Sequence, residues 1–210
     1  MAPKKEGRSS NSLVDRAELE RRIDAIDAAQ SISLALIDLD AFKEINDLCG
    51  HAAGDDVLRR VEAAFVGSLP ADAIVARIGG DEYAAAMPDL PAENALIVME
   101  EIRQHVARLD IEAIAPRRVS LSIGIANFPV HASDRADLQR TAAEALYRAK
   151  SEGKGRVAIY VESKMTLKSN YYPKATLDRL TKLSAALNRT EASLLREALD
   201  ELLLRYGSAI

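Results

Sequence analysis

Cysteine pairs, long apolar runs and the apolar core typical of a signal peptide are all missing from these 210 residues. A single cysteine, Cys49, excludes a disulfide framework and makes a reducing cytoplasm the expected location. No apolar run approaches the roughly 20 residues that a bilayer-spanning helix needs, so we expect no membrane partner. Residues 1–12 lack the apolar core of a signal peptide and are predicted to form a disordered basic tail.

A strong charge of one sign is missing as well. Residues 162–210 hold 8 basic and 6 acidic residues, and residues 1–161 hold 20 basic and 26 acidic ones. Nucleic-acid-binding domains are usually strongly basic, so the small positive excess near the C-terminus is weak support for a DNA partner.

The most informative motif is Gly-Gly-Asp-Glu-Tyr at residues 79–83. It lies between two short apolar runs, which predicts a tight hairpin, because glycine adopts a positive φ without steric cost. Asp81 and Glu82 then lie at the tip of the hairpin, where sheet packing does not require carboxylates. A solvated acidic turn is the alternative interpretation.

A second acidic strand end favours a metal site. Residues 34–40 read Leu-Ala-Leu-Ile-Asp-Leu-Asp, and side chains on a strand share a face at every second position. Asp38 and Asp40 therefore project from the same face. If these carboxylates converge with those of the hairpin, their oxygens suit Mg²⁺ or Mn²⁺.

Helical and strand-like patterns alternate along the chain. Helices are predicted at residues 17–29, 42–48, 55–68, 91–109 and 138–152, and strands at 32–38, 73–76, 83–87, 118–127 and 156–161. The order predicts an α/β fold with helices packed on a mainly antiparallel sheet.

Five motifs, taken in order, resemble the GGDEF domain of diguanylate cyclases, which condense two GTP into cyclic di-GMP. They lie at residues 38–47, 50–55, 77–83, 119–125 and 145–150, and we place the domain at residues 13–161. The resemblance implies a ferredoxin-like palm of the nucleotide-cyclase type.

The resemblance also implies roles for individual residues. Metal binding is expected from the Asp38 and Asp81 carboxylates and the Leu39 carbonyl, and catalysis from Glu82 and Asp81. The other expected roles are guanine binding by Asn46 and Asp55, and phosphate binding by Lys43, Lys150 and Lys154. Asp40 is expected to be structural.

Each single residue also has a simpler interpretation. Lys43 and Lys150 fit ordinary solvated helix lysines. Asp55 fits the start of a helix, where the helix dipole favours an acid, and Asn46 fits a turn cap.

The remainder of the chain is predicted to form a separate module at residues 162–210. A polar strand at 162–170 precedes a helix at 175–187, and Thr190 is a suitable N-cap for a second helix. This strand-helix-helix pattern resembles ribbon-helix-helix repressors, which implies a homodimer and a possible DNA partner. A helical hairpin packed on the first domain is the alternative.

Three functions are compatible with these observations. The first is a diguanylate cyclase that uses Mg²⁺ and GTP and is dimerised by its C-terminal module. The second is a DNA-binding transcription regulator whose GGDEF domain only senses GTP or dinucleotide. The third is a protein-interaction module without catalysis.

Overall fold

A single mixed sheet organises the larger part of the chain. The computed structural model describes residues 13–27, 29–161 and 172–187, together with residues 191, 194, 195, 198, 199 and 202. Six strands in this described part form a sheet in the order β1-β3-β4-β2-β5-β6. The β1–β3 and β5–β6 pairs are parallel and the other three pairs are antiparallel, which confirms the predicted mainly antiparallel sheet.

The elements follow one another in the predicted alternation of strands and helices. The strands are β1 (Val14–Asp15), β2 (Ile32–Leu39), β3 (Ile74–Arg77), β4 (Glu82–Pro88), β5 (Leu121–Phe128) and β6 (Val157–Ile159). The helices are α1 (Arg16–Asp24), α2 (Phe42–Cys49), α3 (His51–Ser68), α4 (Ala92–Ala107), α5 (Arg135–Ser151) and α6 (Lys174–Leu187), with a short 3₁₀ turn at Glu112–Ile114.

Strand β2 lies at the centre of the sheet and is buried along its whole length. Ala35 and Ile37 join a core beneath α3 and α4, whereas Leu34 and Leu36 join a second core beneath α1 and α5. Burial on both faces explains why β2 reads as a nearly continuous apolar run. Its polar end, at Asp38, is therefore an exception that packing does not explain.

Two helices begin three or four residues earlier than the sequence predicted. Helix α3 begins at His51 rather than residue 55, and the amide of Gly54 donates to the carbonyl of Gly50 (3.2 Å). Helix α5 begins at Arg135 rather than residue 138, because the Asp134 side chain accepts a hydrogen bond from the Asp137 amide (2.8 Å). Strand β1 and the 3₁₀ turn were not predicted.

Helix α5 packs unusually close to β5. A Cβ built on Gly124 would overlap the backbone nitrogen of Leu146 and the carbonyl oxygen of Ala142. Glycine at this position therefore sets the distance between the helix and the sheet. That distance matters for the site described below, because α5 carries Lys150.

Chain contacts separate a second compact unit, Lys164–Ile210, from the first, Met1–Ser163. In the second unit the predicted helix at 175–187 is confirmed as α6. The described residues between 191 and 202 are also helical, whereas the predicted strand at 162–170 lies outside the described residues. None of the helices in the described part of the chain combines the length and apolar character that crossing a bilayer requires.

We expect Gly124→Ala to lower the free energy of unfolding by about 3 kcal/mol, because the added methyl group must displace backbone rather than a flexible side chain. Urea unfolding followed by circular dichroism measures the change.

Gly67→Ala is the matched control for this substitution. Gly67 lies in α3 with no heavy atom within 4 Å of a built Cβ. Alanine is preferred over glycine in helices by roughly 0.5–1 kcal/mol, so this variant should equal or exceed the parent protein in stability. A Gly124→Ala protein as stable as its parent would contradict the close packing of α5 on β5.

Candidate functional site

The two acidic strand ends meet where the neighbouring strands β2 and β4 leave the same end of the sheet. In the antiparallel pair formed by β2 and β4, Asp38 lies opposite Glu82. The amide of Leu39 then donates a hydrogen bond to the carbonyl of Asp81 (3.1 Å). The sheet therefore brings together the three carboxylates that the sequence assigned to metal binding and catalysis.

The turn between β3 and β4 is held by backbone and side-chain hydrogen bonds. The amides of Ile78 and Gly79 donate to the Glu82 carbonyl at 2.9 and 3.2 Å. The Arg77 guanidinium donates to the carbonyls of Gly79 (3.3 Å) and Gly80 (2.6 Å). Arg77 thus fixes the turn that presents the acidic pair.

The reason given for the two glycines in this turn was wrong, although the hairpin itself is confirmed. Neither Gly79 nor Gly80 has a positive φ. A Cβ on Gly79 would instead lie 2.8 Å from Oε2 of Glu82, and a Cβ on Gly80 would meet nothing within 4 Å. Gly79 leaves room for the Glu82 side chain.

Asp38 is a buried carboxyl with one close cationic partner. Oδ2 of Asp38 lies 2.6 Å from the Nζ atom of Lys150. Burial raises the pKa of the Asp38 carboxyl above its usual value. The neighbouring carboxylates Asp81 and Asp40 act in the same direction, and the Lys150 ammonium opposes them.

Both carboxylate oxygens of Asp40 accept hydrogen bonds within the protein. The Ser120 hydroxyl and the Gly155 amide donate to Oδ2 at 2.7 and 3.0 Å, and the Ser122 hydroxyl donates to Oδ1 at 2.7 Å. Asp40 therefore fastens the end of β2 to β5 and to the loop that follows α5, which gives a physical basis for a structural role.

The loop after α5 has a backbone conformation that few residues adopt. Gly153, Lys154 and Gly155 have φ angles of 118°, 61° and 61°, and positive φ is uncommon for a residue other than glycine. The Lys154 amide donates to the Ala149 carbonyl (3.1 Å), and the Lys154 side chain is exposed. Lys43 is also exposed, on the first turn of α2.

The two residues predicted to bind guanine are brought together by a contact between α2 and α3. A Cβ on Gly54 would overlap Oδ1 of Asn46 and lie 3.2 Å from Cζ of Phe42. Only glycine at this position leaves room for the Asn46 side chain, beside the residue that precedes Asp55. Because α3 begins at His51, Asp55 lies beyond the first helical residues, and a position at the helix N-terminus does not explain it.

The donor set at the strand ends fits a hard divalent cation. Asp38, Asp81 and the carbonyl of Leu39 offer only oxygen atoms, which Mg²⁺ and Mn²⁺ prefer. Within the described residues, no group of three or more histidine, cysteine, aspartate or glutamate side chains is arranged to hold a metal ion. Water and substrate phosphate would therefore complete the coordination, as is usual for Mg²⁺.

Sequence reasoning missed the serine pair that binds Asp40 and the arginine that holds the turn. Ser120, which directly precedes β5, and Ser122 within it alternate with buried apolar residues, so the signal was present as two polar residues at every second position. Arg77 directly precedes the turn, but nothing in the local pattern identifies the two carbonyls it binds.

Comparison with known proteins places these features in a family. The family model "Diguanylate cyclase, GGDEF domain" matches residues 11–156. Diguanylate cyclase DosC of Escherichia coli (strain K12) is 39% identical over 134 residues, which are 63% of this chain and 29% of DosC. Diguanylate cyclase TpbB of Pseudomonas aeruginosa (strain UCBPP-PA14) is 38% identical over 154 residues, which are 70% of this chain and 35% of TpbB. The matches thus span about a third of each relative.

Solved structures agree with the family model. The active GGEEF domain of a diguanylate cyclase from Vibrio cholerae aligns with a TM-score of 0.65 and 31% identity, over 72% of this chain and 100% of that chain. This likeness confirms the expected mixed α/β, palm-like fold. Because the family model covers well over half of the residues, the chain belongs to the family of diguanylate cyclase GGDEF domains.

Proposed function

We propose that the chain is a diguanylate cyclase that condenses two GTP into cyclic di-GMP with Mg²⁺ or Mn²⁺. The observation that carries the proposal is the meeting of Asp38, Asp81 and Glu82 at adjacent strand ends. A divalent ion held there would activate a ribose 3′-hydroxyl and stabilise charge on the attacked phosphate. Family membership and the cyclases among the relatives support the same reaction.

The chemistry of the surrounding side chains supports roles in activating the 3′-hydroxyl and in binding guanine. Glu82, exposed beside Gly79, orients or deprotonates the attacking 3′-hydroxyl. The Asp55 carboxylate accepts hydrogen bonds from N1–H and the N2 amino group of guanine, and Asn46 binds the same base. Adenine has no such pair of donors, so ATP would leave these acceptors unpaired and bind poorly.

Three lysines supply positive charge for the triphosphate. Lys43 and Lys154 are exposed, and Lys150 lies beside Asp38. A lysine ammonium acts as a compact point charge on a flexible stem, so phosphate binding by these residues requires no fixed bidentate geometry.

We also propose a division of roles along the chain. Residues 13–161 carry out the chemistry, and residues 162–210 form a ribbon-helix-helix-like module that holds two chains together. One GGDEF domain binds one GTP, whereas the product contains two guanosine units. The reaction therefore needs two domains that face each other, and a dimerisation module serves that need.

Exposed apolar side chains in the second unit support association with a second copy. None of its described side chains is buried. Six large apolar residues are between 39 and 55% exposed, namely Tyr172, Leu177, Leu183, Leu195, Leu199 and Leu202. Apolar surface of this extent usually marks an interface, and a unit this small rarely folds stably alone. The strand that would read DNA lies outside the described residues, so DNA binding stays a prediction from the sequence.

Purified protein incubated with GTP and Mg²⁺ should produce cyclic di-GMP, detected by chromatography. Asp81→Ala should lower the rate more than about 100-fold, because a metal ligand contributes several kcal/mol to the transition state. Asp72→Ala removes an exposed carboxylate outside the site and should leave the rate unchanged. Intact GTP after long incubation, or equal rates for the Asp81→Ala and parent proteins, would remove the cyclase proposal.

Gly54→Ala should raise the KM for GTP by about tenfold, because the new methyl group displaces the Asn46 side chain and loses a base contact worth about 1.4 kcal/mol. Steady-state kinetics with GTP measure the effect.

Gly67→Ala, in the same helix without a neighbouring atom, is the control and should leave KM unchanged. The Gly54→Ala/Asn46→Ala double variant should be no weaker in GTP binding than Asn46→Ala alone. A KM for Gly54→Ala equal to that of the parent protein would show that Asn46 does not contribute to guanine binding.

Truncation after Val161 should convert dimers to monomers and lower the cyclase rate at low protein concentration, because tethered partners have effective concentrations in the millimolar range. Light scattering coupled to gel filtration and rates at several dilutions measure both effects. In the full-length chain, Leu183→Glu should weaken the dimer, and Lys182→Glu at the adjacent position should not. A truncated protein that stays dimeric with an undiminished rate would refute the role of the module.

A further inference from the structure

Lys150 forms an ion pair with Asp38, a residue that is proposed to bind the metal. Its Nζ atom is 2.6 Å from Oδ2 of Asp38, and only 11% of the Asp38 side chain is exposed. An ammonium this close to Oδ2 repels a cation that would bind the same oxygen, so the two compete for it. The sequence placed Lys150 among the phosphate-binding residues, so its position on a proposed metal ligand is unexpected.

The geometry points to Lys150 as a resident counter-ion that competes with the divalent metal for Asp38 and transfers to the GTP phosphates when the metal binds. This inference rests on the proposed function for the identity of the metal and the nucleotide. Its first part, competition at Asp38, concerns the protein and the metal alone.

Charge balance accounts for the observed position of Lys150 and for the proposed one on the phosphates. Asp38 and Asp81 lie at adjacent strand ends, and the Lys150 ammonium beside Asp38 offsets part of the negative charge there. With a divalent cation on the same carboxylates, the ammonium would face a like charge at short range. The triphosphate of a bound nucleotide is then the strongest anion within reach of the lysine.

The side chain is suited to such a transfer. Lysine carries its charge on four flexible carbons, so the ammonium can move while the helix backbone stays fixed. Lys150 belongs to the last turn of α5, and the contact at Gly124 holds that helix against the sheet. Asp40 is already engaged elsewhere, because its two oxygens accept hydrogen bonds from Ser120, Ser122 and Gly155, whereas Lys150 pairs with Asp38.

Opposite effects on metal affinity and on nucleotide affinity distinguish this role from simple phosphate binding. Removal of Lys150 should strengthen metal binding in the absence of nucleotide and weaken nucleotide binding in the presence of metal. A lysine that contacts only phosphate would affect the second quantity alone. Lys154, on the loop that follows α5, has no ion pair within the described residues and provides the comparison.

The experiment uses the full-length chain and Mn²⁺, with free Mn²⁺ measured by electron paramagnetic resonance and no nucleotide present. We expect Lys150→Met to bind Mn²⁺ about tenfold more tightly than the parent protein, which corresponds to about 1.4 kcal/mol. Lys154→Met removes the same charge without the contact and should change the affinity less than about twofold. Asp38→Asn should abolish the gain when combined with Lys150→Met.

A second measurement titrates a non-hydrolysable GTP analogue in saturating Mn²⁺, where Lys150→Met should bind more weakly than the parent protein. Circular dichroism checks folding, and Lys150→Gln replaces Lys150→Met if the latter unfolds.

Unchanged or weaker Mn²⁺ binding by the folded Lys150 variant would overturn the inference. An equal gain in Lys154→Met would also overturn it, because the effect would then be one of general charge. Absence of Mn²⁺ binding in both the parent and the Lys150 variants would do the same. None of these outcomes depends on cyclic di-GMP formation, so failure of the inference and failure of the cyclase proposal are distinguishable.

Discussion

The antiparallel register between β2 and β4 is the constraint on which the site depends. It places Asp38 opposite Glu82 and lets the amide of Leu39 bind the carbonyl of Asp81. A slip of one residue would turn every side chain of β2 to the other face of the sheet. Asp38 would then enter the core that Ile37 fills, and the two acidic strand ends would no longer meet. Apolar burial on both faces of β2 therefore fixes the position of the polar end as well as the fold.

Small residues determine how the other parts of the site approach that edge. Gly124 brings α5, and with it Lys150, against the sheet, and Gly54 brings α2 against α3 around Asn46. Asp40 then joins the end of β2 to β5 and to the loop containing Lys154. Residues with no proposed contact to substrate thus position the side chains that are proposed to bind it.

Local patterns in the sequence predicted strands β2 to β6, most helices and the hairpin, because apolar periodicity and turn residues act over a few positions. The helix starts were less accurate, since the hydrogen bonds at Gly50 and Asp134 decide them. The ion pair of Lys150 with Asp38 joins residues more than a hundred positions apart, and no local pattern encodes it. The sequence therefore predicted which residues form the site, and their roles stay predictions, whereas the contacts among them required the fold.

If Lys150 exchanges partners as proposed, its ion pair with Asp38 makes metal and nucleotide binding interdependent. Coupling between two ligands is reciprocal, so a nucleotide that draws Lys150 away from Asp38 strengthens metal binding by the factor that the metal strengthens nucleotide binding. A metal ion alone would be repelled by the Lys150 ammonium, and a triphosphate alone would be repelled by the Asp38 and Asp81 carboxylates. In the proposed function the site would thus favour the metal–nucleotide pair over either component, and the proposed dimer would bring two such loaded sites together.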